Sequence, residues 1–243
     1  MRRVAVAIVT AGVGLGVVGM APASAQTTDN AEFCETVLEV ERVIAQEAFD
    51  ELDPVLTQLE TSAPPEIAPT VQSLVAQTRT ALESESDPSD DPAYREVENT
   101  VGEYVYTSCG WQAYEVTMSE YAFDGIPKTL TTGPVAFKLV NEGAEVHEIV
   151  PLRIKNKDDK LAKLLHLPEK KVNKKIQVLD HEFAGPGETS YVFLDLQRAG
   201  SYGAVCFVPV GTTDLAEVES GHGGDGPPHA FKGMYSSFKV TRA

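Results

Sequence analysis

The sequence predicts an α+β chain in two parts, an N-terminal antiparallel helical bundle followed by an all-β sandwich. Three observations lead there. Residues Gln26 to Gly125 hold 22 acidic residues against Arg42, Arg79 and Arg95, a net charge of −19, whereas Ile126 to Ala243 hold 15 basic and 14 acidic residues. The acidic part spaces its apolar residues by three and four, which puts them along one stripe of a helix. From Gly125 onward that spacing gives way to short apolar runs punctuated by glycine, as in a sheet protein.

The expected division is a signal peptide over 1–25, an acidic helical bundle over 26–120 and a β domain over 121–243. Arg2 and Arg3 precede an apolar run, Val4 to Met20, which closes on Ala23-Ser24-Ala25. A basic start, an apolar stretch and a small-x-small site make a secretory signal. The mature chain then begins near Gln26 and is secreted or held in the cell envelope. No other segment is apolar for the roughly 20 residues that a bilayer span needs, so no integral membrane segment is expected after cleavage. The acidic balance also argues against nucleic acid as a partner.

The first helix is expected over Asp29 to Ala48, with Phe33, Val37, Val40, Ile44 and Ala48 on its apolar side. A short helix, Pro54 to Thr61, is ended by Ala63-Pro64-Pro65. Ile67 to Leu82 forms a third, and ESESDPSDDP over Glu83 to Pro92 reads as a loop. A long last helix is expected from Ala93 to about Met118, along Val97, Val101, Tyr104, Val105, Ser108 and Trp111. This half contains no histidine, and its carboxylates read as a solvated face rather than a catalytic set.

Three cysteines in an exported chain leave one over. Cys34 and Cys109 both lie in the helical part, and pairing them is the simplest solution. They fall at the same end of an up-down bundle of four helices, within the reach of a disulfide. Cys206 then stands as a free thiol, and a metal ligand role explains how it survives outside the cytoplasm.

In the C-terminal half, strands are expected at Val135 to Val140, Tyr191 to Leu194, Ser201 to Cys206 and Ser237 to Val240. One insertion interrupts them. Arg153 to Lys175 carries nine basic and three acidic residues and a short helix at Asp158 to Leu167. It reads as a solvated excursion, with docking of an acidic partner as the alternative. His147 lies just past Asn141-Glu142-Gly143, Cys206 ends a strand, and His229 and Met234 flank Ala-Phe-Lys-Gly before the last strand. One thiolate, two imidazoles and a weak thioether make a trigonal site with a long axial bond, suited to copper.

On those residues the stretch from about Tyr121 to Val240 resembles a plastocyanin-like cupredoxin. The resemblance implies a Greek-key sandwich with one type 1 copper site, the ligands being His147, Cys206, His229 and Met234. It also implies one-electron transfer with a redox partner protein, through a histidine edge near the surface, with His229 as that histidine. One departure is evident: 22 residues separate Cys206 from His229. Their Gly-Pro composition suggests a long, flexible loop, and His222 within it is a rival ligand. His166 and His181 read as surface residues. Copper sequestration or delivery, and a non-redox interaction module, are the competing functions. Enzymatic copper chemistry is not expected, because the histidines for a second copper centre are lacking.

Overall fold

The computed structural model describes residues 30–84, 86, 88, 91–219 and 223–243. The expected signal peptide and His222 lie outside them. Four helices come first: α1 Ala31–Ala45, α2 Leu52–Ser62, α3 Ala68–Ser84 and α4 Pro92–Ser108. Helix α4 opens as its sequence dictates, with the Asp91 side chain accepting from Ala93 N–H at 2.8 Å and Pro92 in the first turn. Phe33, Val37, Val43, Leu56, Leu59, Val71, Val75, Val101 and Val105 form the shared core. Ile44, assigned above to an apolar stripe, and Leu82, the expected end of the third helix, sit at 39% exposure because the core side of each helix runs through Val43 and Ala81 instead. Cys34 and Cys109 are disulfide-bonded within this core, and Cys206 is free and buried.

The last helix is ten residues shorter than expected. It stops at Ser108, and Gly110 follows at φ 65°, a left-handed conformation that glycine adopts without strain. Gln112–Ser119 is strand β1, whose Val116 and Met118 alternate into the sandwich core. The β structure therefore begins before Tyr121.

Nine further strands follow: β2 Ala122–Asp124, β3 Thr129–Thr131, β4 Gly133–Asn141, β5 His147–Ile154, β6 Ile176–Val178, β7 Glu182–Ala184, β8 Thr189–Leu196, β9 Gly200–Val205 and β10 Tyr235–Thr241. They form one sheet in the order β2-β1-β4-β8 and another in the order β3-β10-β9-β5-β6, with β7 also on β5. The β1–β4 and β3–β10 pairs are parallel. Val135, Phe137 and Leu139 of β4 and Val192, Leu194 and Leu196 of β8 point between the sheets.

The alternate residues of the same strands point the other way. Ala136 and Phe193 join the helical core, Trp111 packs edge-on to Phe193 at 5.8 Å, and Lys138 pairs with Glu103 at 3.3 Å. The β4–β8 sheet is thus covered on both faces, which is why its strands read as apolar runs broken in β4 only by Lys138. The other sheet has its own cover. Helices α5 Leu161–Leu164 and α6 Glu169–Val172 replace the single helix expected over Asp158 to Leu167. Leu161 and Leu164 cluster with Leu152, Ile154, Val205 and Ala230. The basic insertion is therefore seated on the sheet, with its lysines outward, and is not the detached excursion expected.

Gly102 marks the closest approach of α4 to β8. A Cβ there would stand 2.4 Å from Tyr191 Cδ2 and 2.8 Å from Cγ, atoms near the base of the ring that cannot swing clear. In an open helix, alanine for glycine gains about 1 kcal/mol. Here overpacking, of about 1–3 kcal/mol, outweighs it. Gly102→Ala is expected to lower stability by about 1 kcal/mol in urea denaturation. In a Tyr191→Ala background the same change should stabilise the chain, and two additive effects would show that α4 does not rest on Tyr191.

Candidate metal centre

Backbone pairing brings three distant residues to one end of the sandwich. Strands β5 and β9 are antiparallel, with Val150 opposite Val205, so the start of β5 lies beside the residue that follows β9. His147 is the first residue of β5 and Cys206 the first after β9. The third residue is delivered by a helical turn, His229–Lys232, that closes on Gly233 at φ 116°. Cys206 N–H donates to the Met234 carbonyl at 3.1 Å, Ala230 N–H to the Cys206 carbonyl at 2.9 Å and Met234 N–H to the His229 carbonyl at 3.1 Å. The turn is thereby fixed against Cys206, and Met234 is held next to both.

His147, Cys206 and His229 offer ligand atoms that all lie within 4.8 Å of one another. The Nδ1 atoms of the two imidazoles are 3.2 Å apart, and Cys206 Sγ is 3.4 Å from His229 Nδ1. All three side chains, and Met234 with them, are fully buried. Glu148 N–H donates to Cys206 Sγ at 3.3 Å. The Nε2 atoms face outward onto carboxylates. His229 Nε2 is 2.9 Å from Glu145 Oε2, and His147 Nε2 is 3.5 Å from Glu120 Oε1. The His229 ring has no exposed edge, and the Tyr121 ring lies tilted against it with the centroids 4.8 Å apart.

The loops around the cluster are tied down by their polar groups. Buried Asn141 donates through Nδ2 to the Glu145 and Ala184 carbonyls, both at 2.8 Å, and accepts from Gly143 N–H at 2.8 Å. Glu120 accepts from Ala144 and Glu145 N–H at 2.7 and 2.8 Å. The excursion after Cys206 is stitched too. Val210 N–H donates to the Pro227 carbonyl, Gly226 N–H returns to the Val210 carbonyl, and Gly224 N–H donates to the fully buried Thr212 hydroxyl. At Gly224 a Cβ would come within 2.2 Å of the Val210 carbonyl, so the two arms approach as only glycine allows. The described part of this loop is a built structure rather than a free one.

Electrostatics follow from burial. Burial, then the neighbouring His229, pushes His147 down to about 4. Burial pushes the Cys206 thiol up to about 12. Burial also works to raise Glu145, but the donors Gly211 N–H and His229 outweigh it and hold the carboxyl below its ordinary value. Without a cation, then, His147 is a neutral imidazole and Cys206 a thiol. A bound cation reverses that preference for the sulfur, because a coordinating thiol is deprotonated.

Among the described residues no other group of His, Cys, Asp and Glu converges in this way. His166 and His181 are exposed, as expected, with His166 stacked on Phe231 at 5.6 Å. Glu145, Glu120 and Tyr121 were not singled out in the sequence. Glu145 lies two residues before His147, but its contact with His229 spans 84 positions, and no local pattern announces it.

Solved structures similar to this chain include a dithionite-reduced auracyanin from the photosynthetic bacterium Roseiflexus castenholzii, at 22% identity and a TM-score of 0.33, covering 52% of this chain and 94% of that one. Auracyanin A, a blue copper protein from Chloroflexus aurantiacus, matches at 18% identity and a TM-score of 0.31 over 53% of this chain and 99% of its own. A multicopper oxidase from Aquifex aeolicus matches at 15% identity and a TM-score of 0.32, over 54% of this chain and 30% of the oxidase. No protein-family model and no curated protein sequence matches the chain.

A thiol that is fully buried and held as the neutral acid reacts slowly, since the thiolate is the nucleophile. Metal-free native protein is expected to show no rapid reaction with a disulfide reagent at pH 8, and one thiol per chain once unfolded. Rapid labelling of the native protein would mean that Cys206 is open to solvent.

Proposed function

We propose that the sandwich holds one copper ion and serves one-electron transfer outside the cytoplasm. The observation that carries this reading is the convergence of two imidazole Nδ1 atoms and one thiol, all buried, at the meeting of two strand ends and a helical turn. The donor set fits the ion: His₂Cys with a weak axial thioether is the type 1 arrangement. The separations fit as well. Ligand atoms that all lie within 4.8 Å of one another, two pairs of them at 3.2 and 3.4 Å, are close enough for a single ion to reach all three.

A bound copper ion would supply one-electron chemistry between Cu(I) and Cu(II). The protein's residues would do the rest. Cys206 would supply a soft thiolate, His147 and His229 nitrogen donors acceptable to both oxidation states, and Met234 a weak thioether. The fixed loops around His147, Cys206 and His229 would keep the reorganisation on electron exchange small. Burial excludes water from the open positions, so substrate chemistry at the ion is disfavoured and a carrier is favoured over an enzyme. The Cys34–Cys109 disulfide supports an oxidising, extracytoplasmic compartment. Among the described residues no helix is long and apolar enough to cross a membrane.

Copper holding for sequestration or delivery is the second reading, favoured by the burial of the His229 edge, which removes a direct route for the electron. Self-exchange separates the two: fast exchange supports the carrier, and exchange too slow to measure supports the holder.

Protein with Cys206 reduced is expected to turn blue or green with one equivalent of Cu(II), through an intense thiolate-to-copper band. Cys206→Ser should abolish the colour. Met234→Leu should keep the copper and shift the reduction potential. His147→Ala and His229→Ala should weaken binding by roughly 10–100-fold or more, since even outer partners of ligands matter that much. A wild-type protein that stays colourless with its thiol free would overturn the copper reading.

A further inference from the structure

We propose that Glu145 is a positioning residue of this centre: it fixes the His229 imidazole with Nδ1 toward Cys206 and sets the reduction potential by its charge. This role rests on the copper reading above. Glu145 is held as few surface carboxylates are. Its Oε2 accepts from Gly211 N–H at 2.8 Å and lies 2.9 Å from His229 Nε2, while Oε1 accepts from the Tyr121 hydroxyl at 3.3 Å. The Glu145 backbone N–H is in turn held by Glu120, whose Oε1 also lies 3.5 Å from His147 Nε2. At Gly143 a Cβ would come within 2.4 Å of Glu120 Oε1 and 2.7 Å of His147 Nε2, so this close grouping needs glycine. One carboxylate thus stands behind each imidazole, on the side away from the thiol.

The physical consequences are two. A carboxylate accepts only, so the proton of a neutral His229 resides on Nε2 and the Nδ1 lone pair is left bare toward the cluster. A fixed negative charge beside the centre also stabilises the more positive oxidised state over the reduced one, which lowers the potential. The same carboxylate, with Tyr121, closes the ring edge through which an electron would otherwise enter.

Glu145→Gln preserves shape and an acceptor oxygen while removing the charge. Its copper form is expected to keep the wild-type colour. Relative to wild type, its preference for Cu(II) over Cu(I) should fall about tenfold, a rise in potential of 59 mV for a one-electron couple. Glu142→Gln, a change at an exposed neighbouring carboxylate, should leave the potential within a small fraction of that. Nitrogen NMR of the metal-free protein reads the orientation role separately: His229 should be the Nε2–H tautomer in wild type and Glu145→Gln, and a mixture in Glu145→Leu. An unshifted potential in coloured Glu145→Gln overturns the charge role. An Nδ1–H tautomer in metal-free wild type overturns the positioning role. A colourless wild type with His229 as Nε2–H would sink the copper reading alone and leave the positioning role standing.

Discussion

Burying one thiol and two imidazoles at the same point is the constraint on which the rest of this end of the molecule depends. A polar group taken out of water without a partner costs about 1–3 kcal/mol by protein measurements, and here three converge with no water-facing side. Without an ion, the atoms that face the centre have each other and, at the sulfur, the Glu148 N–H. The outer nitrogen of His229 is met by Glu145, Glu145 and Glu120 are met by backbone N–H groups, and the loops supplying those groups are fixed by Asn141 and Thr212. Each layer answers a polar demand set by the layer inside it. A cation at the centre would satisfy all three inner donors together.

The same logic of double coverage shapes the sandwich. A sheet faced by solvent on one side alternates polar and apolar residues, whereas β4 and β8 do not. Ala136 and Phe193 look outward into the helices, and Val135, Phe137, Val192 and Leu194 look inward. The helical part is therefore an outer layer of this sheet and not an appendage, and its disulfide staples the layer at the end from which β1 departs. The other sheet is covered by the basic insertion, for which Gly203 makes room: a Cβ there would come within 2.5 Å of Leu161 Cδ2.

Much of this was legible in the sequence, and its limits are physical. The charge asymmetry, the four helices, the Cys34–Cys109 pair and the grouping of His147, Cys206 and His229 all follow from local spacing or from the chemistry of rare residues. The end of α4 was misplaced because Val101, Val105 and Ser108 continue smoothly onto Trp111 at helical spacing. Gly110 and the alternation Tyr114, Val116, Met118 were the competing signal. The excursion after Cys206 was read as loose because glycine and proline suit both a free chain and one folded tightly on itself. Deciding between those needs the partners of Thr212 and Val210, which lie across the loop. The burial of His229 was illegible for a similar reason, since Glu145 and Tyr121 approach it only through the tertiary fold.

Charge and coverage together give the molecule two unlike sides. The strongly acidic helices lie on the outer face of the β4–β8 sheet, and the lysines of Arg153 to Lys175 lie over the outer face of the β5–β9 sheet. The His229 turn belongs to the second side, because Ala230 packs in the cluster beneath the insertion and Phe231, 51% exposed, stacks on its His166. Surface charges of this kind act over roughly a Debye length, about 8 Å at physiological salt. On the proposed function they would influence approach and orientation far more than a bound ion, which would sense the fixed carboxylates a few ångströms away. Choosing a partner and setting a potential would then fall to different residues, and a change in one set need not disturb the other.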